Sequence, residues 1–438
     1  MRVRQRRSEL FHDRGSTSNP YRLILWGVLI LAGLYLLYGI DIGRVQPLFV
    51  PTQTATRSVA SFRQEGSAFF EAGNLNQAIK AYQDALAVNP EDYIGWTELA
   101  RIQTYSSALL TQERQRARLA EALESIDNAI ELAPEDSAAH AVRAFVLDWT
   151  ASASGTTADY EAYIADASRE AALALQLDNN NVLALAYQAE IYVDQQQFVQ
   201  AGEYAKRALA LEPNSLDTLR VSGYVQEAGA NYSSAIELYK QAAEVAPNQT
   251  FLYIRIGQNY RELELYDQAL EYFDRAANIN EVLGIDDPLP YIAIAKTYSR
   301  MGEFFAAALN AEKAVDLDPT NPDWYGQLGI IYDKARNFES AILVLRCAVE
   351  GCSDIQNTAD SDGRWTVSVR GLPLDNNTLI YYYTYGSRLA ALNQCDRATP
   401  ILDEVAAAYP GDAIVIGIVN ESYTVCENLA ASSSGSSQ

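Results

Sequence analysis

Histidine is almost missing from this 438-residue sequence, with only His12 and His140 present. Cysteine is scarce as well: Cys347, Cys352, Cys395 and Cys426 all fall in the last third, and none has metal-ligand spacing. There is no G-x-S-x-G, no H-E-x-x-H and no glycine-rich phosphate loop. These gaps remove the commonest general base, the commonest metal ligands and the usual phosphate cradles. His140 falls on an apolar packing position with no partner Cys or His placed near it, so a packing role is expected. Carboxylates are plentiful but scattered over helix surfaces, as solvated faces are. The chain is read as a non-enzyme, with no catalytic residue, metal, cofactor or small-molecule substrate.

Basic charge is also in short supply. Lys and Arg number 33 against 56 Asp and Glu, and six of the arginines (Arg2, Arg4, Arg6, Arg7, Arg14, Arg22) crowd into residues 1–22 beside only Glu9 and Asp13. The remainder carries 27 basic and 54 acidic residues, a net of −27. Such a surface disfavours nucleic acid and anionic lipid as partners of residues 59–429.

Residues 23–40, LILWGVLILAGLYLLYGI, run for 18 positions without a charge. That is the lower range for a membrane-spanning helix, and the arginine bias before it places the N-terminus in the cytoplasm. A cleaved signal peptide competes with this reading. The long apolar core, the 22-residue basic region and the lack of an A-x-A site after Ile40 favour an uncleaved anchor. The expected layout is a basic cytoplasmic tail (1–22), a single-pass helix (23–40), a stalk (41–58) and an extracytoplasmic body (59–429). The Ser-rich end (430–438) reads as disordered.

The body is repetitive. Ala78, Tyr82 and Ala85 lie four and three apart, on one helical face, and the pattern recurs at Ala235/Tyr239/Ala242, Ala269/Phe273/Ala276 and Ala341/Leu345/Ala348. Twelve residues before each leading Ala stands Gly66, Gly223, Gly257 or Gly329. Breakers such as Gly73-Asn74, Gly229 to Asn231, Gly302 and Arg336-Asn337 lie between, so each unit reads as helix–turn–helix. Closing prolines fall at 90, 134, 213, 247, 319 and 410. Pro213 to Pro247 is 34, and the other gaps are one or two periods of 34 plus insertions of 10, 11, 4 and 23 residues. A fixed period of this length signals a helical solenoid. Nine units follow, at 59–92, 93–136, 137–181, 182–215, 216–249, 250–283, 288–321, 322–355 and 379–412, with a capping helix near 413–429. Proline is replaced by Asn179, Glu281 and Ser353 in the third, sixth and eighth units.

These landmarks, and Trp96-Thr-Glu-Leu99-Ala100 above all, resemble the tetratricopeptide repeat family. The resemblance implies an all-α, right-handed superhelical solenoid that binds a protein partner, with the first helix of each unit lining the concave side. It turns Phe70, Tyr105, Phe145, Trp149, Tyr187 and Tyr224 inward in the earlier units. In the later units it turns in Arg220, Arg255, Gln258, Arg261, Lys296, Arg300, Gln327 and Lys334, a mainly basic stripe broken by Glu227, Glu262 and Asp333. The paired Lys and Asn with which some members clamp a C-terminal carboxylate are absent: Arg63 is followed by Ser67 and then Glu98.

Two functions fit. One is a membrane-tethered scaffold or assembly factor holding an extended acidic or carboxylate-ended peptide in the groove; the other is an envelope-glycan module that uses the aromatics as a stacking platform. Aromatics filling a tight superhelix, with the basics paired to acids, would leave neither.

Stacking would set the end of the ninth unit's first helix beside that of the cap, which favours a Cys395–Cys426 disulfide. Cys347 and Cys352 flank one turn and can pair locally, and four buried free thiols are the alternative. Residues 353–374, with alternating Trp365, Val367 and Val369 and an Asp362-Gly363 turn signal, read as a small β-hairpin.

Overall fold

The computed structural model describes residues 19–42, 57–110 and 112–435. The chain divides into two compact units, Met1–Arg57 and Ser58–Gln438. The first contains helix α1 (Pro20–Asp41), of which Pro20–Gly39 is long and apolar enough to cross a membrane by length and composition. Most of the expected tail (1–22) and stalk (41–58) lies outside the described residues.

The second unit is built from helical hairpins. They are α2 (Val59–Glu71) with α3 (Leu75–Val88), α4 (Tyr93–Ser107) with α5 (Gln112–Leu132), and α6 (Ser137–Ser152) with α7 (Thr157–Leu177). Next come α8 (Val182–Asp194) with α9 (Phe198–Leu211), α10 (Leu216–Ala228) with α11 (Tyr232–Val245), and α12 (Thr250–Glu262) with α13 (Tyr266–Leu283). Then follow α14 (Leu289–Met301) with α15 (Phe304–Leu317), α16 (Pro322–Lys334) with α17 (Phe338–Val349), and, after the short α18 (Asp354–Asp360), α19 (Leu379–Ala391) with α20 (Cys395–Ala408). The last helix, α21 (Ala413–Gly435), runs on into the stretch expected to be disordered, because neither glycine nor proline interrupts that stretch before Gly435.

The small residues of the repeat have a direct cause. The Tyr82 ring lies on Gly66 and the Phe273 ring on Gly257, and a Cβ at either glycine would meet ring carbon at 2.5 Å. Among the described residues, seven of the nine hairpin turns share one device, a residue in the left-handed region at Gly73, Gln196, Ala230, Glu264, Gly302, Arg336 and Asn393. The next backbone N–H reaches back to a carbonyl five residues earlier, as in Gln197 to Tyr192 and Asn337 to Tyr332, which satisfies the end of the first helix. Residues 196, 230 and 264 keep the period of 34 although none is glycine. Where the closing proline is replaced by Glu281, α13 runs on to Leu283 and stops at left-handed Gly284.

Six residues after a closing proline, a side chain donates to that proline's carbonyl: Trp96 to Pro90 at 2.9 Å, Tyr253 to Pro247 at 2.6 Å and Tyr325 to Pro319 at 2.9 Å. His140 Nε2 does the same to Pro134 at 3.0 Å, which gives this buried histidine a structural task.

The expected β-hairpin at 353–374 is not formed. Among the described residues there is no strand, only an isolated antiparallel bridge between Cys352 and Val369. Ser353 and Gln356 form a capping box that starts α18, and Asp362 and Gly363, both at positive φ, end it rather than turning a hairpin. The alternation has another origin: Trp365 and Val369 insert into the core, with the Trp365 ring edge-on to Tyr325 at 5.3 Å.

Candidate functional site

First helices pack side by side, α4 on α6, α6 on α8, α8 on α10 and α12 on α14, so their inward residues form rows. In the earlier hairpins those rows close on each other. Gln249 Nε2 donates to the Phe70 carbonyl at 2.9 Å and Asn248 Nδ2 to that of Ala72 at 3.0 Å, which ties the first hairpin to the start of the sixth. Phe251 stacks on Tyr105 at 5.5 Å and Tyr187 on Phe145 at 4.3 Å. Phe70, Tyr105, Phe145 and Tyr187 are buried. They fill the interior of the turn and offer no platform on which a glycan could stack.

Asp217 anchors this interior. It accepts hydrogen bonds from the hydroxyls of Tyr105 and of Tyr187 (2.7 Å for the latter) and pairs with Arg101 at 3.1 Å. Burial pushes its pKa up, but Arg101 and Arg220 with the two hydroxyls outweigh that and hold it below the ordinary value. Arg220, expected in the groove, is 6% exposed and makes a two-pronged pair with Glu190 at 2.6 and 2.5 Å. Tyr187 is therefore closed to a ligand, and the Arg220 guanidinium is already taken by Glu190. The acids that take both lie on neighbouring first helices, 30 residues away in sequence, where the repeat pattern of a single hairpin does not reveal them.

Beside this core lies a cavity of about 380 Å³, where Trp149, Tyr224 and Arg255 meet Asp148, Glu190 and Asp194. Tyr224 donates to Asp194 Oδ1 at 2.6 Å, and Arg255 pairs with Glu227 at 3.0 Å. Asp148 and Asp194 carry no distinguishing local pattern in the sequence; the signal that could have found them is their place on successive concave faces.

Further along, the remaining expected residues gather. Gln258 and Leu289 line both this cavity and the next recess, whose other walls include Arg261, Lys296 and Gln327. Those three also line a third recess of about 270 Å³ with Arg300, Lys334 and Tyr381. Arg300 pairs with Glu262 at 3.1 Å, while Asp333 is taken by Arg388, so Lys334 turns to the Ser299 hydroxyl at 3.5 Å. Arg261 lies 3.9 Å from Glu262, and its Nε has no hydrogen-bond partner. Burial first, and then Arg300, push the Arg261 pKa down; burial first, and then Arg261, push Lys296 down against Asp323. Arg255 shifts the other way: Tyr239 and Glu227 more than offset its burial. The cations of the stripe thus fall into two groups, Arg220 and Arg255 with their own carboxylates, and Arg261 and Lys296 without an adequate one.

Residues 63–104 and 252–282 match two models described as tetratricopeptide repeat. The chain carries tetratricopeptide repeats. A segment of 160 residues is 26% identical to the BBSome complex member BBS4 of Bos taurus, covering 36% of this chain and 29% of that relative's length. Among solved structures, a thermophilic TPR protein of Thermus thermophilus aligns at TM-score 0.38 and 18% identity over 46% of this chain and 98% of its own. A tetratricopeptide repeat protein of Parabacteroides merdae aligns at 0.37 and 17% over 63% of this chain and 99% of its own.

At the C-terminal end of the repeats, Cys395 of α20 is bonded to Cys426 of α21, and Cys347 to Cys352 beside α18.

Proposed function

We propose that this repeat protein is a non-catalytic, membrane-tethered scaffold or assembly factor for protein partners. In this reading α1 is the anchor, residues 1–22 stay in the cytoplasm and the repeats stand on the other side. The partner presents an extended segment, acidic or ended by a carboxylate, to Arg261, Lys296, Arg300 and Lys334. One observation carries the reading: in a chain of net charge −23, Arg261 and Lys296 line a shared recess with lowered pKa values, because Glu262 at 3.9 Å and Asp323 do not offset their burial and mutual repulsion. A carboxylate set between them would supply the missing counter-charge, and Arg261 can offer it two parallel N–H donors. Ile330, Ile331 and Ile380 give the recess an apolar side for the residue that carries the carboxylate. The likeness of one segment to a member of a protein complex fits this reading.

The test is a fluorescence-anisotropy titration of the detergent-solubilised full chain with a Glu-Glu-Leu peptide, its C-terminus free or amidated. The free acid should bind tighter, salt should weaken it, and Arg261→Ala with Lys296→Ala should cost at least about tenfold in Kd. Equal affinity for acid and amide, or no effect of the double variant, would overturn the site. The topology fails separately, if a reporter fused after Gln438 is active only in the cytoplasm.

A further inference from the structure

We propose that the cavity bounded by α6, α8, α10 and α12 is a second binding site, specific for an alkylammonium group. Its carboxyls outnumber its available cations. Glu190 holds Arg220 and Glu227 holds Arg255, which leaves Asp148 and Asp194 facing one another with no cation of their own. Asp148 is 1% exposed, lines the cavity, and its Oδ1 receives no hydrogen bond from any donor of the fold. A carboxylate buried in that way is costly, and a proton takes the place of the missing cation. Burial first, and then Asp194 and Glu190, hold the Asp148 pKa well above its ordinary value; burial raises Asp194 to about 6.

The rest of the cavity suits the ligand's stem. Trp149, Phe251, Leu109 and Leu289 supply apolar wall, along which a short methylene chain can lie while its ammonium bridges the two carboxyls. The three N–H donors of an ammonium can serve Asp148 Oδ1, which lacks a donor, and Asp194, whose Oδ1 already accepts from Tyr224. Among the described residues no group of three His, Cys, Asp or Glu could hold a metal ion, so the carboxyl pair points to an organic cation. The exchange balances in charge: the ammonium enters, and the proton held by Asp148 leaves to solvent. The other titratable groups around the cavity are Glu190, Arg220, Tyr224, Tyr239 and Arg255, with Tyr160 behind Asp194. Binding therefore strengthens as pH rises. The site does not depend on the basic recess, so either can fail alone.

The same chemistry is offered by a lysine of a partner segment and by a free amine. Calorimetric titration of the full chain with n-butylammonium chloride, and separately with N-acetyl-Gly-Lys-Gly-amide, distinguishes these sources. Saturable binding is expected, with proton release visible as a buffer-dependent heat, and at least about tenfold weaker near pH 5.5 than near pH 7.5. Asp148→Asn and Asp194→Asn should each weaken it by at least about tenfold with helix content intact. Tighter binding of the peptide assigns the site to a partner's lysine, and tighter binding of butylammonium to a free amine; both support the ammonium class. Heats no different from those of potassium chloride, or binding indifferent to both Asn variants, overturn the proposal.

Discussion

The first six hairpins and the last three are built on one 34-residue plan, yet their concave sides differ. The early side is shut: its main hydrophobic core runs from Phe70 to Ile294 beside two smaller ones, and Asp217 and the Arg220–Glu190 pair are buried there. The late side has two cores of its own, and its inward cations Arg300 and Lys334 stay exposed, while Lys296 is crowded by the recess walls yet keeps access to solvent. What differs is the residue each first helix turns inward. Large aromatics with matched acids and arginines let the turn close, whereas Lys, Gln and Ile leave it open. The same repeat can thus serve as a structural hub at one end and as a receptive surface at the other.

The largest effect should come from the hub. Asp217→Ala strips one of two carboxylates from the largely buried Arg101, which keeps Glu98, and leaves the hydroxyls of Tyr105 and Tyr187 without their acceptor. Breaking a buried network from one side costs about 3–5 kcal/mol. Arg300→Ala, on the open side with about half of its side chain in solvent, should stay within about 0.5 kcal/mol. Urea denaturation followed by circular dichroism, with hydrogen exchange to localise the loss, compares the two. Similar losses for both would remove the distinction between a closed and an open half.

The two ends also differ in what secures them. No cysteine occurs before Cys347, and the C-terminal hairpin has a bond of sequence separation 31 between Cys395 and Cys426. Removing it with Cys395→Ser should cost about 2–4 kcal/mol, felt by α20 and α21 and not by the hub. The Cys347–Cys352 bond closes a separation of only 5 and should matter less. Hydrogen exchange on oxidised and reduced full chain checks both, and non-reducing peptide mapping that finds Cys395 free or bonded elsewhere removes the premise.

The repeat plan was legible because it is local. The Ala–aromatic–Ala spacing, the glycine twelve residues earlier and the closing proline each concern a single hairpin, and α2 to α17 start and stop accordingly. The closure was not legible. Arg101 meets Asp217, and Gln249 meets the Phe70 carbonyl, through separations of 116 and 179 residues that no periodicity announces. Arg220 and Arg261 look alike in sequence, each an arginine on the inner face of a first helix. Only the helix alongside decides: it gives Arg220 the carboxylate of Glu190, and Arg261 a backbone carbonyl, that of Ala293, at 3.4 Å. Opposite charges 28 to 30 residues apart, as in Glu190/Arg220 and Glu227/Arg255, are the pattern that would have revealed which cations were already taken. The apparent strands of 353–374 failed for a related reason. Alternation records burial, and here Trp365 and Val369 are buried by helices rather than by a partner strand.

The smallest effect separates the two halves by pH. Asp148 belongs to the closed side and has an ordinary pKa of 3.8, which the fold raises well above that value. Between those two pH values the folded chain holds a proton that the unfolded chain has released. Stability depends on pH through the difference in bound protons, unfolded minus folded, which is negative here. The contribution of Asp148 is therefore fully present below about pH 4 and is lost as pH rises toward its folded pKa. Asp148→Asn keeps the shape, supplies an amide donor toward Asp194 and does not titrate. The variant should accordingly gain on the parent as pH rises, by about 1–2 kcal/mol at neutrality. Asp287, the buried acid that precedes α14, is also raised to about 6 and provides the comparison from outside the cavity, since Asp287→Asn should act additively with Asp148→Asn. Thermal denaturation of the parent, both single variants and the double variant at about pH 4 and pH 7.5 reads the effect. A constant difference between parent and Asp148→Asn across that range would mean that Asp148 is not the proton-holding group of the closed half.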